Sequence, residues 1–213
     1  MHNLFTPQFH TNLEVQLARH SLVYTSPPKS TYAEELVVNA LKATYPLYQI
    51  NWTPESHQLD YDISVKNDPY EWRLSLKTGK PMRSTLSISG PRLQSVLKAA
   101  SATPPLKAAS TTQLTPQQGE ALVSHLRHVA QSALMLSLCK PTPSSDKYWF
   151  TELPPALLEP PPWESWTPRG SVITGVNAKG TVLRICTSMS WQIWWDVPLQ
   201  ELPIRIMAPS LSC

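Results

Sequence analysis

An aspartate and a lysine stand fifteen positions apart, each near the tip of a segment that reads as a β-strand. Asp62 lies within Leu59-Asp60-Tyr61-Asp62-Ile63-Ser64-Val65, and Lys77 closes Glu71-Trp72-Arg73-Leu74-Ser75-Leu76-Lys77. Strands of alternating large apolar residues have no packing use for a carboxylate or an ammonium. Burying either costs on the order of several kcal/mol unless the group is paired or holds a metal. Placed together at strand tips, the two suit metal-assisted attack on a phosphodiester. The acid would hold the cation, and the ammonium would offset charge developing on phosphorus.

Period-two alternation decides which groups share a face. On the first strand Asp60, Asp62 and Ser64 share one face. Asp62 is preferred because it directly precedes Ile63-Ser64-Val65, whereas Asp60 is nearer the turn. On the second, Glu71, Arg73, Ser75 and Lys77 share one face and Trp72, Leu74 and Leu76 the other. A helix is expected upstream over residues 32–44, capped by Ser30-Thr31, with Ala33, Leu36, Val37, Ala40 and Leu41 as its apolar face. At 100° per residue, Glu34 flanks that face and Glu35 points nearly opposite. Glu34, Glu35 and Glu71 are the acids that could supply a further carboxylate.

With Asp62 followed by Ser75-Leu76-Lys77, the chain resembles the PD-(D/E)xK nucleases, and among them the type II restriction endonucleases. The segments Leu76-Lys77-Thr78-Gly79 and Leu86-Ser87-Ile88-Ser89-Gly90-Pro91-Arg92 share that look, and the resemblance covers roughly residues 30–100. It implies an α/β fold: a restriction-endonuclease-like core with a mixed central sheet flanked by helices, here with a β-rich C-terminal part. It also implies Mg2+-dependent cleavage of double-stranded DNA by a homodimer, with Asp62, Ser75 and Lys77 catalytic and Asp62 on the metal. Ser75 stands where the family usually has an acid, and no proline precedes Asp62. The missing carboxylate is then expected from Glu34, which matches the family's first-helix acid, three and four positions before Val37 and Val38. A repair or junction nuclease on the same core, or a DNA-binding protein without catalysis, are the alternatives.

Net charge is only +3, but its distribution is uneven. Lys66, Arg73, Lys77, Lys80, Arg83, Arg92, Lys98 and Lys107 face only Asp68 and Glu71 over residues 66–107, whereas residues 1–65 are acidic. This suits a polyanion. Lys80, Arg83, Arg92 and Lys98 are the candidates for DNA contact. Trp191, Trp194 and Trp195 read as structural anchors before base-stacking groups. Three widely spaced cysteines without zinc spacing and without a signal peptide suggest a cytoplasmic protein. The longest apolar stretch, 121–138, is broken by His125, Arg127 and His128, so no membrane span is expected.

The organisation expected is an N-terminal arm (1–29), a nuclease core (30–140), and a proline-rich segment with a β-rich end (141–213) in the same domain. Strands are expected at 47–52, 59–65, 70–77 and 85–89. Gly90-Pro91 would open a helix to about residue 100, and residues 101–114 read as a loop. Thr115-Pro116-Gln117-Gln118 is a capping box for a helix to about Cys139, with Leu122, Leu126, Val129, Ala133 and Leu136 as its buried stripe. A hairpin is expected around Asn177-Ala178-Lys179-Gly180, then strands at 191–197 and 203–207.

Overall fold

The computed structural model describes residues 3–24, 26, 28–52, 61–93, 96–97, 114–186 and 192–210. Four α-helices are described: α1 (Pro7–Val23), α2 (Ser30–Thr44), α3 (Pro116–Ser132) and the short α4 (Pro155–Leu158). The strands are β1 (Gln49–Trp52), β2 (Ile63–Asn67), β3 (Tyr70–Lys77), β4 (Lys80–Pro81), β5 (Thr85–Arg92), β6 (Leu134–Cys139) and β7 (Tyr148–Leu153). After them come β8 (Thr167–Arg169), β9 (Val172–Val176), β10 (Val182–Cys186), β11 (Gln192–Pro198) and β12 (Arg205–Met207). Two interleaved compact units result. The first holds Met1–Pro81, Ser132–Glu152 and Pro203–Cys213, and the second Met82–Gln131 and Leu153–Leu202.

The first unit is mixed α/β. Its six-stranded sheet runs β1-β2-β3-β6-β7-β12. β1, β2 and β3 pair antiparallel, and β3 pairs parallel with β6, Lys77 lying across from Ser137. A parallel pair needs a crossover connection, and here the chain between β3 and β6 passes through the second unit. Ile63, Val65, Leu74, Leu76, Leu136, Leu138, Tyr148, Phe150 and Met207 line one face of the sheet. They join the apolar stripes of α1 (Phe9, Leu13, Leu17) and α2 (Ala33, Leu36, Val37, Val38, Ala40, Leu41) in one core. The segment expected as an arm thus carries a helix from Pro7, capped by Thr6, which accepts the Phe9 N–H. α1 and α2 are tied by Asn12 Nδ2 to Thr44 Oγ1 at 2.9 Å and by Tyr45 Oη donating to the Leu4 carbonyl at 2.7 Å.

In the second unit β5, β11, β10, β9 and β8 neighbour one another in that order. The pairings from β5 through β9 to β8 are antiparallel, with a register shift between Gln192 and Trp194. Trp195 is fully buried, its indole N–H donating to the Leu158 carbonyl, so this tryptophan is a core anchor. Trp194 is half-buried and Trp191 lies outside the described residues. Arg184 forks onto Asp196, with Nη2 to Oδ1 at 2.8 Å, and also reaches Ser87 Oγ. The Asp196 pairing holds the guanidinium's pKa above its ordinary value.

Several elements depart from expectation. α2 begins at Ser30, so Ser30 and Thr31 lie inside the helix, and the Ser30 hydroxyl donates to Glu34 instead of capping. Gly90-Pro91 does not open a helix but continues β5. A Cβ at Gly90 would lie 2.3 Å from the Trp195 ring, so only glycine fits under that indole. The helical residues Leu93, Val96 and Leu97 follow. The helix expected to reach Cys139 ends at Ser132, and Leu134–Cys139 is the central strand β6. The capping box is as expected: the Thr115 N–H donates to Gln118 Oε1 at 2.9 Å and the Gln118 N–H to Thr115 Oγ1 at 3.2 Å. Among the described residues no helix is long and apolar enough to cross a membrane.

Candidate active site

β3 carries Ser75 between Leu74 and Leu76, which fill the core, and ends on Lys77. β2 starts one residue after Asp62. That aspartate occupies the bend before the strand rather than its interior, with its N–H donating to the Leu74 carbonyl at 2.8 Å. From this bend its Oδ2 accepts the Leu76 N–H at 2.8 Å and the Ser75 hydroxyl at 3.1 Å, and it lies 3.6 Å from Lys77 Nζ. The carboxylate thus closes the open end of the β2–β3 ladder. Lys77 and Asp62 remain 28% and 21% exposed, enough for a ligand to reach the pair.

Glu34 joins from α2, and its two oxygens are both engaged. Ser30 Oγ donates to Oε1 at 3.2 Å and Trp52 Nε1 to Oε2 at 3.1 Å. Burial is the main influence on its carboxyl and raises its pKa, and the Asp62 charge pushes it further the same way. The Trp52 and Ser30 hydrogen bonds and the Lys77 charge oppose the rise. Two carboxylates and an ammonium therefore share one electrostatic neighbourhood. Glu35 is solvent-exposed. Glu71 sits near the far end of β3, paired with Lys66 at 3.6 Å and Arg73 at 3.5 Å. Of the three candidate acids, Glu34 is the one whose carboxyl feels the charges of Asp62 and Lys77.

The basic candidates are placed less completely. Lys80 is exposed on β4 in the first unit, and Arg83 is exposed in the bend before β5 in the second. Arg92 ends β5, its side chain undescribed, and Lys98 and Asp60 lie outside the described residues.

Trp52 and Ser30 carry no motif that sequence reading could flag. Ser30 does stand four positions before Glu34, one helical turn, which is the spacing for a side-chain pair. Trp52 is found only through β1 pairing: it lies opposite Ile63, next to Asp62.

Magnesium is commonly held by one or two carboxylates while keeping several waters. The donor set here fits that habit. Oδ1 of Asp62 makes no hydrogen bond or ion pair among the described residues, and the Glu34 carboxyl feels the Asp62 charge. Among the described residues no group of three or more His, Cys, Asp or Glu side chains could hold a metal ion. No family model, curated protein or solved structure matches the chain.

Proposed function

We propose that the protein is a magnesium-dependent endonuclease of the PD-(D/E)xK type, acting as a type II restriction enzyme on double-stranded DNA. The observation that carries this reading is the convergence of Ser75, the Leu76 N–H and Lys77 on one oxygen of Asp62. The chain order also supports it: α2, then the antiparallel β1–β2–β3, then β6 parallel beside β3.

Asp62 and Glu34 would hold the cation, which when bound supplies Lewis-acid polarisation of the scissile phosphate. Lys77 places a positive charge where the phosphorane oxygens gain charge. Ser75 holds Asp62 in orientation and supplies no carboxylate. Lys80, Arg83, Arg92 and Lys98 are proposed phosphate or base contacts. Neutralising one phosphate contact should lower the salt slope of binding by about one. A symmetric homodimer follows from the need to cut both strands at a palindrome, and the cytoplasm is where such an enzyme would meet its DNA.

Incubation with phage DNA and magnesium tests the reading. Discrete fragments support it. Structure-specific nicking would make the protein a repair nuclease, and a mobility shift without cleavage a DNA-binding protein.

A further inference from the structure

Both hydrogen bonds on Glu34 come from residues outside the motif that marks the site. Trp52 ends β1, is paired in register with Ile63, and packs partly buried against the core of the first unit. Its Nε1 is 3.1 Å from Glu34 Oε2, while Ser30 Oγ, one turn earlier on α2, is 3.2 Å from Oε1. A glutamate left with free rotamers presents its carboxylate in many orientations. One donor on each oxygen fixes its plane.

We propose that Trp52, assisted by Ser30, is a positioning residue that fixes the Glu34 carboxylate for a divalent cation shared with Asp62; this rests on the reading of the site given above. Trp52 suits the task because an indole is a donor only. It orients the carboxylate without competing for the cation, as a histidine or an asparagine would. It is also anchored in the core, so the geometry of Glu34 is set by how β1 packs under α2. Partners that orient a metal ligand in this way commonly change metal affinity by about 10–100-fold when removed.

Trp52→Phe keeps an aromatic ring against the core while removing the N–H together with part of the indole. Calcium affinity of the full chain, measured by titration calorimetry without DNA, should fall about tenfold in Trp52→Phe. It should fall less, about threefold, in Ser30→Ala, because water can replace an exposed donor. In a Glu34→Gln background Trp52→Phe should have no further effect. In metal-free protein, the Trp52 indole N–H resonance should move on Glu34→Gln. Cleavage by Trp52→Phe should need correspondingly more magnesium for half-maximal rate.

Unchanged calcium affinity in Trp52→Phe, with wild-type binding and cleavage intact, overturns this proposal alone. So does an equal loss in the Glu34→Gln background, which would make the ring merely structural. A wild-type chain that binds neither calcium nor magnesium overturns the proposal and the nuclease reading together. If Trp52→Phe does not fold, Ser30→Ala decides, and wild-type affinity there overturns the proposal.

Discussion

Lys77 Nζ lies 3.6 Å from Asp62 Oδ2, the same oxygen that takes the Leu76 N–H and the Ser75 hydroxyl. One carboxylate oxygen thereby satisfies a main-chain donor, a hydroxyl and an ammonium, and the second oxygen of Asp62 takes no partner among the described residues. A solvated acid decorating a strand end would have no need of three donors from a neighbouring strand.

The division of labour between Asp62 and Ser75 should show in kinetics. Ser75→Ala removes one donor to Asp62, but the Leu76 N–H still holds the carboxylate, so single-turnover cleavage should fall less than about tenfold, the equivalent of one ordinary hydrogen bond. Asp62→Asn removes the charge that, on the proposed reading, attracts magnesium, and should lower the rate by orders of magnitude. If Ser75→Ala is as damaging as Asp62→Asn, the hydroxyl acts directly in the chemistry.

Glu34 and Glu35 should separate cleanly. Glu34→Gln should abolish cleavage nearly as fully as Asp62→Asn, and Glu35→Gln should leave it near wild type. The same substitution carries a stability signature. Burial and the Asp62 charge raise the Glu34 pKa, so the native chain holds that proton more tightly than the unfolded chain. Ionised Glu34 therefore costs stability above its native pKa and costs nothing below the ordinary 4.5. Thermal melting without metal should show Glu34→Gln more stable than wild type at neutral pH, with the gain vanishing in acid. A gain that persists at low pH would mean the charge is not its source.

His10 should dominate acid sensitivity of the first unit. Its ring is only 8% exposed, stands against Phe9 and Phe150, and its Nδ1 has no hydrogen-bond partner among the described residues. Burial, aided by the Arg205 charge, lowers its pKa to about 4. The unfolded chain then binds this proton more tightly, so stability is full above 6.5 and declines as pH falls from 6.5 to about 4. The total loss is about 3 kcal/mol, from the width of that window. Urea denaturation at neutral pH and near pH 4.5 should show a smaller loss in His10→Phe than in wild type. An equal loss in both would place the acid sensitivity elsewhere.

Gly90→Ala tests the packing of the second unit. The added methyl would meet the Trp195 indole, which is fully buried and cannot swing away. A destabilisation of about 1–3 kcal/mol is expected, measured as a shift in denaturation midpoint. A neutral effect would mean that Trp195 has room to move.

Much of the local structure was legible because local chemistry sets it. The third strand over Tyr70–Lys77, the Thr115–Gln118 capping box and the turn at Asn177–Gly180 stand where their residues say. β6 was not legible. Its apolar run continues the stripe of α3, and periodicity alone cannot tell a buried strand from a buried helix segment. Its parallel pairing with β3 joins positions about sixty residues apart in sequence, a partner choice that tertiary packing makes. Of the residues expected at the site from spacing, helix rotation and resemblance, Asp62, Ser75 and Lys77 are in contact in the structure, and Glu34 feels the Asp62 and Lys77 charges. The Trp52 hydrogen bond was not legible, because it depends on how β1 sits under α2.

Single-turnover cleavage of phage DNA by Lys77→Ala under saturating magnesium tests the central claim most directly, with DNA binding measured in parallel in calcium. The expected result is a loss of roughly a hundredfold or more in rate, the worth of a positive charge aimed at the transition state, with calcium-supported binding retained. Full activity in Lys77→Ala would contradict the assignment of this site, as would a wild-type protein that cuts no DNA in magnesium.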